Sequence, residues 1–317
     1  MRAIVNVAPG QLEMREIPVP HAGTGEVRIR VAACGICATD LQMIRGWERT
    51  GFPSIPGHEW AGIVDEVGPG VSGAFLEAHV VGENVLSSGG EVGFEYPGGY
   101  AEYLVTEASK LQVLPDDYSL TTATLIEPLA VCVRGLRRLR CDAQGPYLIS
   151  GDGPIGLIFL MLLISQGHEV VLVGERESRL KLARELGAKQ VVNFQETDMF
   201  SVEGLRFSSI IEASGSVHAL EASLELASFG ARVLIVGDYG NGMARFEWNK
   251  ILHSELELIG SNASAGAWPE AVRIALEGVI PLERIITHTL PADEFAQGIS
   301  MLEDRSSNAV KIVLTWF

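Results

Sequence analysis

The chain has 317 residues, 47% of them hydrophobic, which is enough apolar sequence for two domains of ordinary size. Its formal net charge of -16 repels nucleic acid and anionic membranes, so neither is expected as a partner. Four cysteines in a chain this long exclude a disulfide framework and point to a reducing, cytoplasmic setting.

From the start, Met1-Arg2-Ala3-Ile4-Val5-Asn6 leads at once into polar and proline-containing sequence, so no signal peptide is expected. Residues 1 to about 115 read as short β-branched runs cut by Gly and Pro, among them Val27–Val31 and Ala61–Val64, which predicts a mostly β domain. Residues 71–83 are expected to form a loop or short hairpin. After Pro115 the texture changes. Near-continuous apolar strands, Tyr147–Ile149, Val170–Val173, Ile210–Ala213 and Val233–Val236, alternate with helical segments such as Glu177–Leu186 and Val217–Ala227. Strands buried on both faces and spaced by helices predict an α/β fold, a doubly wound parallel (Rossmann) sheet built of βαβ units. The longest apolar stretch, Pro154–Ile164, is too short to span a bilayer. A last strand of that sheet is expected at Leu256–Ile259, a helix near Pro269–Glu277 and a closing strand at Val310–Leu314. The domains are therefore placed at 1–127 (mostly β, catalytic), 128–260 (dinucleotide-binding) and 261–317 (a return segment completing the first).

Gly151-Asp152-Gly153-Pro154-Ile155-Gly156 follows the strand Tyr147–Ser150 and opens a helix, the context in which a glycine pattern signals a dinucleotide site. The first glycine permits the tight turn, the second lets backbone approach a pyrophosphate, and the third lets helix pack on strand. The helix N-terminus offers free N–H donors to phosphate, and Pro154 costs little in a first turn. The end of the second strand selects the cofactor, because an acid there binds both ribose hydroxyls and repels a 2′-phosphate. Gly174 stands in that place, followed by Glu175 and Arg176. A guanidinium pairs with a 2′-phosphate, so NADP is favoured over NAD, although Glu175 could serve the ribose or neutralise Arg176. Val236, ending the fourth strand, is expected beside the cofactor.

Cys34-Gly35-Ile36-Cys37 could be half of a four-cysteine zinc site, but Cys132 and Cys141 are distant and form no close second pair. Pro56-Gly57-His58-Glu59 and later Ile126-Glu127-Pro128 instead supply imidazole and carboxylates. With Cys37 these are the ligand types of a catalytic zinc that keeps one position open. A carboxylate before Pro128 in an apolar helical run is otherwise poorly explained; Pro128 is expected to disrupt the helix and aim Glu127 sideways, and a cation repays its burial.

At these residues the sequence resembles the zinc-containing medium-chain dehydrogenase family, closest to its polyol and sugar branch of sorbitol and threonine dehydrogenase type. The match runs the whole length, through Gly98-Gly99-Tyr100-Ala101-Glu102-Tyr103, the glycine fingerprint and the closing Lys311-Ile312-Val313-Leu314. The resemblance implies Cys37, His58 and Glu127 as zinc ligands, with Glu59 as a neighbouring or exchanging ligand. It implies that Asp40 orients His58 through its free ring nitrogen and that Thr39 passes the substrate hydroxyl proton. It also implies a homodimer or homotetramer acting on a small alcohol or ketone. The sequence departs from the family twice. Gly82–Tyr100 lacks the closely spaced cysteines of the structural-zinc lobe, and Gln42 stands where many relatives carry a proton-relaying histidine, a role an amide cannot fill. The alternatives are a zinc-free quinone or enoyl reductase on the same fold and a non-enzymatic NAD(P)-binding redox sensor; neither explains Cys37, His58 and Glu127 together.

Overall fold

In the computed structural model, which describes residues 1–47, 49–140, 145–196, 206–304 and 306–317, the chain divides into two units. The first comprises Met1–Glu127, Trp268–Glu277 and Leu282–Phe317, and the second Pro128–Ala267 with Gly278–Pro281. Cys141 lies outside the described residues.

The strands of the N-terminal segment are β1 (Arg2–Ala8), β2 (Gln11–Glu16), β3 (Glu26–Ile36), β4 (Glu59–Val67), β5 (His79–Gly82), β6 (Tyr103–Glu107) and β7 (Leu111–Leu114). Those of the second unit are β8 (Tyr147–Ser150), β9 (Val170–Gly174), β10 (Gln190–Asn193), β11 (Phe207–Glu212), β12 (Ala227–Ile235) and β13 (Glu257–Gly260); β14 (Ile286–Pro291) and β15 (Lys311–Thr315) close the chain. The helices in order are α1 (Ala38–Ile44), α2 (Leu120–Ala123), α3 (Ile126–Leu139), α4 (Pro154–Ser165), α5 (Glu177–Glu185), α6 (Val217–Glu225), α7 (Trp248–His253), α8 (Trp268–Leu276) and α9 (Phe295–Glu303).

In the first unit β14, β15, β3, β4, β5 and β7 lie in that order in one sheet, with β6 also paired to β3. Alternating residues of β3 turn inward with Ile4, Trp60, Leu104, Ile312 and Leu314 to form its core. The segment 71–83 is no free hairpin. Gly73–Phe75 is a 3-10 turn, and β5 runs inside the sheet between β4 and β7, a strand too short for its alternation to show in the sequence. The closing strand β15 pairs antiparallel with β3 opposite the side taken by β4, with Ile312 beside Ile36 and Glu59 beside Gly35. That register brings Lys311 and Glu59 to the same stretch of β3.

The second unit is the predicted doubly wound sheet, order β10-β9-β8-β11-β12-β13, with every strand pairing among the described residues parallel. β8 and β9 are buried along their whole length, and α4 is apolar all round and buried from Gly156 to Leu163, as a helix enclosed by protein should be. α6 stops at Glu225, because Ala227 already belongs to β12. Among the described residues no helix is long and apolar enough to cross a membrane.

Candidate active site

Cys37 caps α1 where β3 ends, and its N–H donates to Asp40 Oδ2 at 2.8 Å. Asp40 is fully buried; its Oδ2 also accepts from the Tyr100 phenol at 3.3 Å, and its Oδ1 lies 3.2 Å from His58 Nδ1. Oδ1 and Nδ1 have no well-angled hydrogen-bond partner, so their contact is close and electrostatic. Burial pulls the His58 pKa down, but Asp40 and then Cys37 outweigh it and hold the imidazole well above its ordinary value. With Nδ1 facing Asp40, the other ring nitrogen is left for Cys37. Cys37 Sγ, a His58 ring nitrogen and a Glu59 carboxylate oxygen all lie within 4.8 Å of one another, a donor set that suits a borderline-soft divalent metal. Cys34 is fully buried and its thiol is pushed well up by burial, the behaviour of a core side chain.

His58 is presented by a turn that only glycine can make. Gly57 has φ of 100°, and a Cβ there would meet the Tyr100 ring at 2.5 Å and Cys34 Sγ at 2.9 Å. Asn84 donates to the His58 carbonyl at 2.7 Å and accepts from Trp60 Nε1 at 3.0 Å. Phe94 lies on the His58 imidazole with ring centroids 5.0 Å apart, and the Arg49 guanidinium covers Phe94 at 4.4 Å while donating to Glu91 and Glu95, both at 2.7 Å. The cysteine-free segment between β5 and β6 is thus built around the histidine by glycines, an amide and an ion-paired arginine.

Glu59 is held by a partner that sequence reasoning missed. Lys311 Nζ donates to Glu59 Oε1 at 2.7 Å, Oε2 at 2.6 Å and the Ile36 carbonyl at 3.2 Å, with both side chains buried. A Cβ on Gly35 would collide with the Glu59 carboxylate, so the absent side chain is the passage by which Glu59 crosses β3 to reach Lys311. Glu127 lies outside the set drawn together within 4.8 Å, but it senses both His58 and Glu59. Burial foremost, opposed by His58 and assisted by Glu59, pushes its carboxyl up to about 7. Pro128 does not break the helix as expected: α3 begins at Ile126, so Pro128 sits in the first turn, where its missing N–H has no helical acceptor. Thr39 Oγ1 is 3.7 Å from Cys37 Sγ, and Gln42 follows on the same short helix. Trp60 and Tyr100 are buried positioning groups, and Trp47 packs edge-on against Phe94.

In the second unit Gly151 has φ of 127°, and a Cβ there would meet the backbone of Ala213 and Ser214 at 2.9 Å. A Cβ on Gly156 would strike the Gly151 carbonyl, whereas one on Gly153 would meet nothing within 4 Å. The space the second glycine keeps clear is therefore open to a ligand, ahead of Pro154 and Ile155 at the start of α4. Asp152 is buried, and its Oδ2 accepts from the N–H groups of Glu175 at 3.0 Å and Arg176 at 2.8 Å. A Cβ on Gly174 would meet that carboxylate at 2.6 Å, so glycine at the strand end makes room for Asp152. Arg176 Nη1 is buried without a protein partner. Beside it Arg179, also buried, is pulled down to about 10 by burial and then by the Arg176 charge. Val236 ends the β12 turn with its N–H on the Glu212 carbonyl at 2.9 Å.

Two family models match the chain, the alcohol dehydrogenase GroES-like domain over residues 23–116 and the zinc-binding dehydrogenase over residues 154–277. The L-threonine 3-dehydrogenase of Xanthomonas campestris pv. campestris (strain B100) is 32% identical, with 100% of each chain covered. The D-arabitol-phosphate dehydrogenase of Enterococcus avium is 29% identical over 99% of this chain and 97% of that one. The crystal structure of the short chain alcohol dehydrogenase RspB of Escherichia coli CFT073, complexed with NADH, has a TM-score of 0.93 at 28% identity, covering 100% of this chain and 99% of that one. The chain belongs to the zinc-binding, medium-chain alcohol and polyol dehydrogenase family.

Proposed function

We propose that this protein is a zinc-dependent dehydrogenase that moves a hydride between a secondary alcohol, polyol or sugar-like substrate and a nicotinamide dinucleotide, with NADP preferred. The observation that carries this is the convergence of Cys37, His58 and Glu59 with Asp40 behind the imidazole. Cys37, His58 and Glu127 are the proposed ligands. Both Glu59 oxygens are already occupied by Lys311, which fits a carboxylate that exchanges onto the metal only by loosening that pair. A bound zinc supplies a Lewis acid that lowers the pKa of the substrate hydroxyl, and the nicotinamide supplies the hydride acceptor. Asp40 fixes the imidazole, and Thr39 passes the hydroxyl proton onward, because a hydroxyl both donates and accepts. Gln42 cannot hold that proton, so it leaves through water, or through Glu59 when the Lys311 pair loosens. The turn from Gly151 to Gly156 cradles the pyrophosphate.

The NADP preference is supported by two guanidiniums, Arg176 and Arg179, lying together at the end of β9 where no acidic side chain replaces Gly174. Asp152, 3.9 Å from Arg179 Nη1, offsets part of this charge, and a 2′-phosphate would pair with the Arg176 Nη1 that no protein group accepts from. Self-association is supported by large apolar side chains exposed on the second unit, Phe229, Met243, Trp248 and Leu252. The test is a panel of secondary alcohols, polyols, sugars and amino alcohols with NADP and NAD, before and after chelation. Oxidation that is faster with NADP, lost on chelation and restored by zinc is expected. Reduction of quinones or enoyl compounds by a zinc-free protein would replace this proposal with the zinc-free reductase.

A further inference from the structure

The turns after β11 and β12 are tied together by a carboxylate that no step above uses. Glu212, the last residue of β11, is fully buried. One oxygen accepts from the Ser214 N–H at 2.9 Å and from the Ser214 hydroxyl, the other from the Gly215 N–H at 3.4 Å and from the Tyr239 phenol. The two backbones also touch: a Cβ on Gly215 would strike the Asp238 carbonyl, and one on Gly237 would strike the Gly215 nitrogen. Burial, and then Glu212 itself, push the Tyr239 phenol well above its ordinary range, so it stays a donor. A carboxylate this deep is tolerated only because donors converge on it, and such a network specifies one backbone arrangement more sharply than an apolar contact would.

The place of these turns in the sheet gives them a purpose. The strand order reverses between β8 and β11, and in doubly wound sheets a dinucleotide lies outside the carboxyl ends at that reversal, one mononucleotide to each half. The half made of β8–β10 carries the glycine turn and Arg176, hence the adenosine side. The half made of β11–β13 faces the nicotinamide mononucleotide. The turn at Gly151 abuts Ala213 and Ser214 directly, so the tied turns continue the phosphate cradle into that second half.

We propose that Glu212 and Tyr239 form a latch that holds the turns after β11 and β12 in the shape that receives the nicotinamide half of the cofactor. They are positioning residues, and the proposal rests on the dinucleotide function of this unit. The test is calorimetric titration of the wild type and Tyr239→Phe with NADPH, NADH, adenosine 2′,5′-bisphosphate and AMP. Tyr239→Phe, lacking one donor, should bind the intact dinucleotide on the order of 3- to 10-fold more weakly while its affinity for the adenosine fragment stays within about twofold. Glu212→Gln should show the same selectivity with a larger loss; if it does not fold, Tyr239→Phe decides alone. Equal weakening of dinucleotide and fragment would make the network a general support of the unit and overturn the latch, as would unchanged dinucleotide binding. A wild type that binds fragments and dinucleotides alike not at all would instead overturn the dinucleotide function, and the latch with it.

Discussion

Lys311→Met is the sharpest probe of how the first unit holds its carboxylates. Methionine matches the length of the lysine stem but removes the ammonium, leaving Glu59 charged and buried beside Cys37 and His58. The Lys311 and Glu59 side chains are 3% and 1% exposed, and the ammonium donates to both carboxylate oxygens and to a backbone carbonyl. Removing one partner of such a pair costs about 3–5 kcal/mol, because the survivor remains desolvated without compensation. At about 1.5 °C per kcal/mol for a chain of this length, this lowers the melting temperature by about 4–8 °C. Scanning calorimetry on metal-free protein is the appropriate assay, since a bound cation would stand in for the lost ammonium. Lys311→Met combined with Glu59→Gln should recover roughly half or more of the loss, a coupling that neighbours in one network show and distant sites do not. A single variant within about 1 kcal/mol of wild type, the worth of an exposed pair, would refute the buried-pair reasoning. Strict additivity in the double variant would refute it equally.

Arg176→Ala should weaken NADP more than NAD by about 1–3 kcal/mol in a binding titration, and equal effects would remove Arg176 from cofactor selection. Gln42→His, by supplying a terminal base, should raise the oxidation rate near neutral pH by about 10-fold or less; a superimposable pH profile would make Gln42 a packing residue. The Arg49 hydrogen bond holds the Glu95 carboxyl below its usual range, against the opposing effect of burial. A carboxyl depressed in the folded state contributes stability above its unfolded pKa of about 4.3 and loses it as pH falls through the lower folded value. Glu95→Gln should therefore cost under about 1 kcal/mol at neutral pH, with the gap to wild type closing below about pH 4. A gap constant across that window would contradict the assignment.

What the sequence made legible were features that repeat along the chain. β8, β9, β11 and β12 each hold a short apolar run, at Tyr147–Ile149, Val170–Val173, Ile210–Ile211 and Val233–Ile235, so both the parallel sheet and the glycine turn could be read directly. β5 could not, because a short strand inside a sheet has no room to display alternation. Cys37, His58 and Glu59 were legible as chemical types, but the Lys311 on Glu59 was not. The two are 252 residues apart, and only the register of β15, β3 and β4, with Gly35 leaving a gap, brings them together. Arg179 was missed for a simpler reason. On a charged helix it reads as solvated, and only its burial beside Arg176 distinguishes it. Asp152 looked like a turn residue, yet it organises the end of β9 through two backbone N–H groups.

The central claim is a zinc held through Cys37, His58 and Glu127 that chemistry depends on and cofactor binding does not. The measurement is metal content per chain in wild type and Cys37→Ser, paired with NADPH titration and alcohol oxidation on the same preparations. The account predicts about one zinc per wild-type chain, as for a three-ligand catalytic site with an open position. In Cys37→Ser it predicts lost or much weakened zinc, no turnover, and NADPH affinity largely unchanged, because the glycine turn belongs to the other unit. A zinc-free wild type, or a Cys37→Ser variant that turns over alcohols at the wild-type rate, would contradict it.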